Sequence, residues 1–290
     1  MNYRTRTIKR SRRTKAEIEG LDEQIYDELA VDNPQSVRHV FYRMTDPRLA
    51  FPVDKTDGGY RTVQDRLQKL RRAGVVPYRW IADTSRRGYH VDTFSGAGDF
   101  LRRTMGLYRS DLWANSDYYC EVWVESRSLA SVIQDDCEEL AVSLYPSGGF
   151  ASISFTFEAA SLMNEVVSDR VAVVYYIGDY DPAGVLIDVS IERELREHLD
   201  PRVDLRFIRL GITPEQIEAY DLPTKPRKAG DQRSLHIETT VEAESMPSRI
   251  MRRLLRENVE DLLPEGALEV ARVAEESERS LLSIMAGAVE

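Results

Sequence analysis

Three acidic side chains stand where a chain of this pattern gathers ligands. Glu125 closes the apolar segment 119–124, and Asp179 and Asp181 follow directly on the apolar run 170–178. Two aspartates separated by one residue leave an extended segment on the same side. A glutamate ending a neighbouring strand brings a third carboxylate to them. Carboxylates packed together repel one another, so a bound cation is the natural relief. Magnesium suits such a set, because it prefers oxygen ligands, keeps several waters and takes substrate phosphate oxygens into the rest of its shell. A second pair, Arg38 and Tyr42, lies four residues apart and hence on one helical face. Plainer readings stay open for each: an aspartate pair at a helix start is an N-cap, Tyr42 beside Phe41 is a core aromatic, and Arg38 is a surface ion-pair residue.

The elements that would position these groups follow from periodicity. Ile18, Leu21, Ile25 and Leu29 are spaced for one face of a first helix, and Asn33-Pro34 reads as the N-cap and first turn of a second, to about Met44. A third helix is expected over 60–73, with Val63, Leu67 and Leu70 inward and Gly74 ending it. Its other faces carry Arg61, Arg66, Lys69, Arg71 and Arg72. Residues 75–90 read as short strands with a turn at Arg86-Arg87-Gly88. Three helices followed by a hairpin make a winged helix-turn-helix, whose third helix enters the major groove while the hairpin touches the backbone. Arg61, Arg66, Lys69, Arg72, Arg86 and Arg87 are then the DNA-binding candidates, the alternative being a merely solvated basic face.

Beyond a connector over 91–117, with a short helix near 99–107, strand and helix alternate. Strands are expected over 119–124, 142–145, 170–178 and 203–210, and helices over 128–140, 157–167 and from Gly184 to about His198. Such alternation argues a mostly parallel α/β sheet, and the unbroken apolar run 170–178 is that of a strand buried on both faces. Ligands of open parallel sheets gather beyond the carboxyl ends of the strands, where Glu125, Asp179 and Asp181 fall. Two helices separated by Pro264 and Gly266 close the chain. The expected organisation is a basic arm over 1–15, a DNA-binding domain over 16–110, and a metal-binding domain with a helical extension over 111–290. Lys225, Arg227, Lys228 and Arg233 form a basic loop, and Glu242 and Glu244 have no assigned role.

Charge divides the chain in the same way. Residues 1–110 hold 22 Lys and Arg against 14 Asp and Glu, whereas the remainder holds 17 against 35, for a net charge of -10 overall. A basic half joined to an acidic half points to one surface for a polyanion and another with a different task. The two cysteines, Cys120 and Cys137, lack a CxxC spacing and read as buried thiols. No apolar segment reaches the length of a membrane span, and none follows the basic N-terminus as in a secretory signal. A cytoplasmic protein without membrane association is therefore expected.

The segments Val122-Trp123-Val124-Glu125 and Gly178-Asp179-Tyr180-Asp181-Pro182-Ala183-Gly184 resemble the two signatures of a Toprim domain. The DxDPxG form is similar to that of the type IIB topoisomerase (topoisomerase VI) A subunit and its meiotic double-strand-break relatives. Ser36-Val37-Arg38-His39-Val40-Phe41-Tyr42 resembles that family's SxRxxYY segment, and the basic wing matches Asp83-Thr84-Ser85-Arg86-Arg87-Gly88. The resemblance covers roughly residues 30–245, and the chain length is similar to that of the compact "mini-A" proteins of phages and other mobile elements. Two positions depart: Ser126 follows Glu125 where relatives usually carry lysine, and Phe41 replaces the first tyrosine of the pair.

The resemblance implies magnesium-dependent cleavage of double-stranded DNA by tyrosyl transesterification. Tyr42 would be the nucleophile, Arg38 its helper, and Glu125, Asp179 and Asp181 the metal ligands. It further implies a homodimer in which one subunit's tyrosine works with the other's metal site, and a separate ATPase subunit of B type for strand passage. Two other functions compete. A Toprim nuclease would cut DNA with metal-activated water, and a non-catalytic DNA- or partner-binding module would keep the acidic residues as a vestige.

Overall fold

The computed structural model describes residues 13–82, 91–227, 233–234 and 236–288, in two compact units divided between Ala82 and Asp83. The first unit is built on three helices: α1 (Lys15–Val31), α2 (Val37–Met44) and α3 (Asp57–Arg72). Each begins at a hydroxyl cap, Thr14, Ser36 and Thr56 respectively, whose side chain accepts an otherwise orphaned first-turn N–H. Leu21, Ile25 and Leu29 meet Val40, Phe41, Met44, Val63, Leu67 and Leu70 in one apolar core. A part-buried ion pair between Asp22 and Arg66 fastens α1 to α3, with both side chains only 18% exposed.

Two expectations for this unit are corrected. The second helix starts at Val37 under Ser36, not at Pro34, because Asn33 turns its amide back to the Leu29 carbonyl (2.8 Å) at the end of α1. Residues 78–80 form a turn of 3-10 helix instead of a strand, and Ile81 makes a single parallel bridge to Gln35. The remainder of the expected hairpin, with Arg86 and Arg87, lies outside the described residues, as does most of the basic arm.

The second unit holds a four-stranded, all-parallel sheet in the order β2-β1-β3-β4. Its strands are β1 (Tyr118–Val124), β2 (Ser143–Pro146), β3 (Val171–Ile177) and β4 (Leu205–Gly211). The apolar run of β3 is central and buried on both faces, as an unbroken run requires. On one face, α6 (Ile153–Val166) and α7 (Gly184–His198) pack Ala159, Met163, Ile187, Ile191 and Leu195 against Trp123, Val174 and Tyr176. The other face meets α5 (Arg127–Glu139) and α9 (Ser248–Glu260), and Tyr175 Oη donates to the Asn258 carbonyl there. Residues 91–110 belong with this unit, since α4 (Ala97–Thr104) packs on α10 (Ala267–Ala288). Between β4 and α9 come α8 (Pro214–Ala219) and the short antiparallel pair β5 (Lys225–Pro226) and β6 (Thr239–Thr240). Cys120 and Cys137 are buried free thiols. Among the described residues, no helix is long and apolar enough to cross a membrane.

Candidate metal centre

Strands β1 and β3 are paired neighbours in register to their ends, Val124 opposite Ile177, so the residues that follow each strand emerge together. The pairing runs one step further, with the Glu125 N–H donating to the Ile177 carbonyl (2.9 Å). The Glu125 side chain then turns toward the aspartate segment, where Oε2 accepts the Asp179 N–H (2.8 Å). Asp179 Oδ1 accepts the Ala243 N–H (2.8 Å), and Tyr180 exchanges two backbone hydrogen bonds with Val241. Asp181 Oδ1 accepts from the N–H groups of Ala183 (2.8 Å) and Gly184 (2.6 Å), opening α7. Asp181 thus meets these N–H groups from two residues before the N-cap of α7, Ala183, which has no side-chain cap. Gly184 must lack a side chain, because a Cβ there would run into the Asp179 carbonyl.

Each of the three carboxylates commits one oxygen to backbone N–H groups. The second oxygen of each has no protein hydrogen bond among the described residues. Burial raises the Asp179 carboxyl well above the usual carboxylate range, and the charges of Glu125 and Glu244 add to the rise. Burial likewise raises Glu125, and its gain from the Asp179 N–H is opposed by Asp181. Like charges in a desolvated place are held short of full ionisation, which is the electrostatic condition a cation relieves. Tyr176 Oη is buried nearby with no hydrogen-bond partner among the described residues, in the space that a Cβ on Gly178 would need.

These observations fit a hard, oxygen-seeking divalent ion. Among the described residues no three acidic, His or Cys side chains are drawn into a ready metal-binding group, so the structure offers a donor set and not a closed shell.

Glu244, unassigned in the sequence, lies buried close enough to act on these carboxylates. It is 4% exposed, and its Oε1 accepts from Ser128 Oγ (2.7 Å) while its charge bears on Asp179 and Glu125. Glu242, its neighbour but one, is paired with Lys225 (2.8 Å). Arg209, at the end of β4, also escaped the reading. Its guanidinium lies under the aspartate segment and draws the Glu125 carboxyl back down. The available signals were weak: one of two arginines in a strand, and an acidic pair in a polar stretch.

The remaining candidates belong to the first unit. Tyr42 is 3% exposed on α2, with its ring against Phe41 (5.2 Å between centroids) and under the Lys55 ammonium (5.4 Å). The Arg38 guanidinium lies over the Tyr60 ring at 5.8 Å. Arg61, Lys69 and Arg72 are exposed along α3, whereas Arg66 is turned into its pair with Asp22. The structure therefore sets the Glu125 side chain against the Asp179 backbone, with Asp181 two residues on, and keeps Tyr42 and Arg38 in a separate unit. No protein-family model, curated protein or solved structure matches the chain.

Proposed function

We propose that this chain cleaves DNA with the help of magnesium, in the manner of the type IIB topoisomerase A subunit. The observation that carries the proposal is the carboxylate set at the ends of β1 and β3, with three uncommitted oxygens from Glu125, Asp179 and Asp181. On this reading the second unit is a Toprim domain and the first, with its basic α3, is a winged helix that lays Arg61, Lys69 and Arg72 along the duplex, Arg86 and Arg87 being DNA-binding candidates just beyond it in the chain. Arg66 contributes there only by holding α3 in place through Asp22.

Magnesium, when bound by these carboxylates, supplies positive charge for the phosphate oxygens. The protein's own groups do the rest. The Tyr42 oxygen attacks phosphorus, a phosphorus–oxygen bond to tyrosine forms as one phosphodiester bond breaks, and the phenolic proton ends on the released sugar hydroxyl. A phenol with a pKa near 10 is a weak nucleophile and gains from nearby cations; Lys55 stands over its ring, and Arg38 is on the same helix. The exchange conserves bond energy and reverses when the sugar hydroxyl returns. Each protomer of a homodimer cuts one strand, the tyrosine of one working with the carboxylates of the other, and a separate ATPase subunit would drive strand passage.

One observation favours a second reading. Tyr42 is almost fully covered, so a nuclease in which water takes the place of its hydroxyl leaves it as a core aromatic. Incubation of supercoiled DNA with the protein and magnesium separates the two. Linear DNA that enters a gel only after proteolysis, and is lost in Tyr42→Phe, supports transesterification. Free ends produced undiminished by Tyr42→Phe support the nuclease.

A further inference from the structure

Arg209 uses every donor it has, and three of its contacts go to carbonyls of the backbone that carries the candidate ligands. A guanidinium has five N–H donors in a rigid planar fork. Nε donates to the Ile212 carbonyl (2.9 Å) just past β4. Nη1 donates to the Gly184 carbonyl (3.4 Å) in the first turn of α7 and to the Asp188 carboxylate one turn further on. Nη2 donates to the carbonyls of Gly178 (3.2 Å) and Asp179. The side chain is 17% exposed, and its charge is matched by Asp188, itself 12% exposed. Carbonyls beyond a strand end have lost their sheet partners and must be satisfied elsewhere. The Asp179 carbonyl finds its partner in Arg209, whereas the Gly178 carbonyl also keeps the Ile212 N–H (2.9 Å), so there the guanidinium adds to a surviving bond.

We infer that Arg209 is the positioning residue of the carboxylate site, anchored on the Ile212 carbonyl and pinning residues 178–184 through three main-chain carbonyls so that Asp179 and Asp181 present their free oxygens to a divalent cation. The inference rests on the reading of this site as a cation site. Two other roles for an arginine beside carboxylates are disfavoured by the same geometry. A phosphate-gripping arginine needs donors to spare, and this one has none. A counter-ion for the ligands would point at their carboxylates, whereas Arg209 reaches Asp179 only through its carbonyl and gives its one charged contact to Asp188. Lysine is no substitute, since an ammonium has three donors and no fork.

The test uses the full chain and two variants, Arg209→Lys and Asp188→Asn, each checked for folding by circular dichroism. Amide exchange is followed without metal, and magnesium binding by calorimetry. In Arg209→Lys the expected result is faster exchange confined to residues 178–184, magnesium binding weaker by tenfold or more, and cleavage that recovers at raised magnesium. Asp188→Asn removes the carboxylate that anchors one arm of the fork, so the carbonyl contacts should loosen, and faster exchange over residues 178–184 with a twofold to fivefold loss of magnesium affinity is expected there. It keeps the idea testable should the lysine variant fail to fold.

Unchanged exchange and unchanged magnesium affinity in either folded variant would overturn the positioning role. So would a weakened affinity for DNA with the magnesium dependence intact, which belongs to a substrate-binding arginine. A wild-type chain that binds no magnesium sinks the cation-site reading, while the exchange arm still decides whether Arg209 orders the segment.

Discussion

The two units treat their chemistry-bearing side chains in opposite ways. In the first, Tyr42 is folded into an apolar core among Phe41, Val40 and Met44, and the charges that matter for packing are paired, as Arg66 is with Asp22. In the second, carboxylates stand against their own repulsion beyond the carboxyl ends of the two inner strands, and backbone N–H groups hold them there. Strain of this kind weakens a fold unless something binds, and such tension between stability and arrangement marks a place kept for function. The first unit shows no comparable tension at Tyr42, so the proposed transesterification requires the ring to be uncovered when DNA is bound.

The sharpest way to break the contrast is Asp179→Asn. Cleavage should fall at least 100-fold in a gel assay, the scale on which removing a group that stabilises transition-state charge is felt. The same change should leave the melting temperature equal or higher, because it removes a charge that burial and its neighbours oppose. A variant that lost activity only by unfolding would erase the distinction. Tyr42→Phe sharpens it from the other side: the covalent adduct should vanish while stability changes by about 1 kcal/mol or less, the worth of one hydrogen bond.

A third prediction concerns pH. Glu121 is fully buried in β1, accepting hydrogen bonds from Tyr119 Oη and Trp123 Nε1 (2.8 Å each), yet burial outweighs these and pushes its carboxyl up to about 7. The folded chain therefore keeps this proton where the unfolded chain, with an ordinary carboxyl near 4.5, has released it. The stabilisation is complete below about pH 4.5 and is lost as pH rises toward 7, by roughly 3 kcal/mol at 1.36 kcal/mol per unit. Melting temperature measured from pH 5 to 7 should decline, and Glu121→Gln should flatten the decline. An equal slope in the variant would remove Glu121 as its source.

The smallest expected effect lies in the first unit. Arg66→Ala should cost about 1–2 kcal/mol in urea denaturation, since it strands Asp22 in a part-buried position, between the values of exposed and buried pairs. DNA affinity should respond more to replacing Arg61, Lys69 and Arg72 together, with a shallower salt dependence. The opposite ranking would mean that Arg66 leaves Asp22 to contact DNA.

Much of this was legible in the sequence, and the gaps have physical causes. Apolar runs ending in acids located β1, β3 and the three carboxylates, because a strand buried on both faces must be continuously apolar and its end must then meet water. The helical faces of Leu21, Ile25 and Leu29 and of Val63, Leu67 and Leu70 were equally plain. Arg209 and Glu244 were not, because their partners are distant in sequence: Arg209 meets residues about thirty positions away, and Glu244 meets Ser128 across 116. Local pattern carries no record of such contacts. Asn33 was misread because an asparagine beside a proline suits a helix start as well as the end of the preceding one, and only the course of the chain decides.

The central claim is that Glu125, Asp179 and Asp181 together hold one divalent ion. Crystals of the full chain grown with manganese, which scatters anomalously and accepts the same oxygen donors, test it directly. The account predicts a single strong anomalous peak within about 2.0–2.3 Å of an oxygen from each of the two chain segments. Full manganese occupancy elsewhere, with Glu125 still turned only to the Asp179 amide and no peak beside it, would contradict the account.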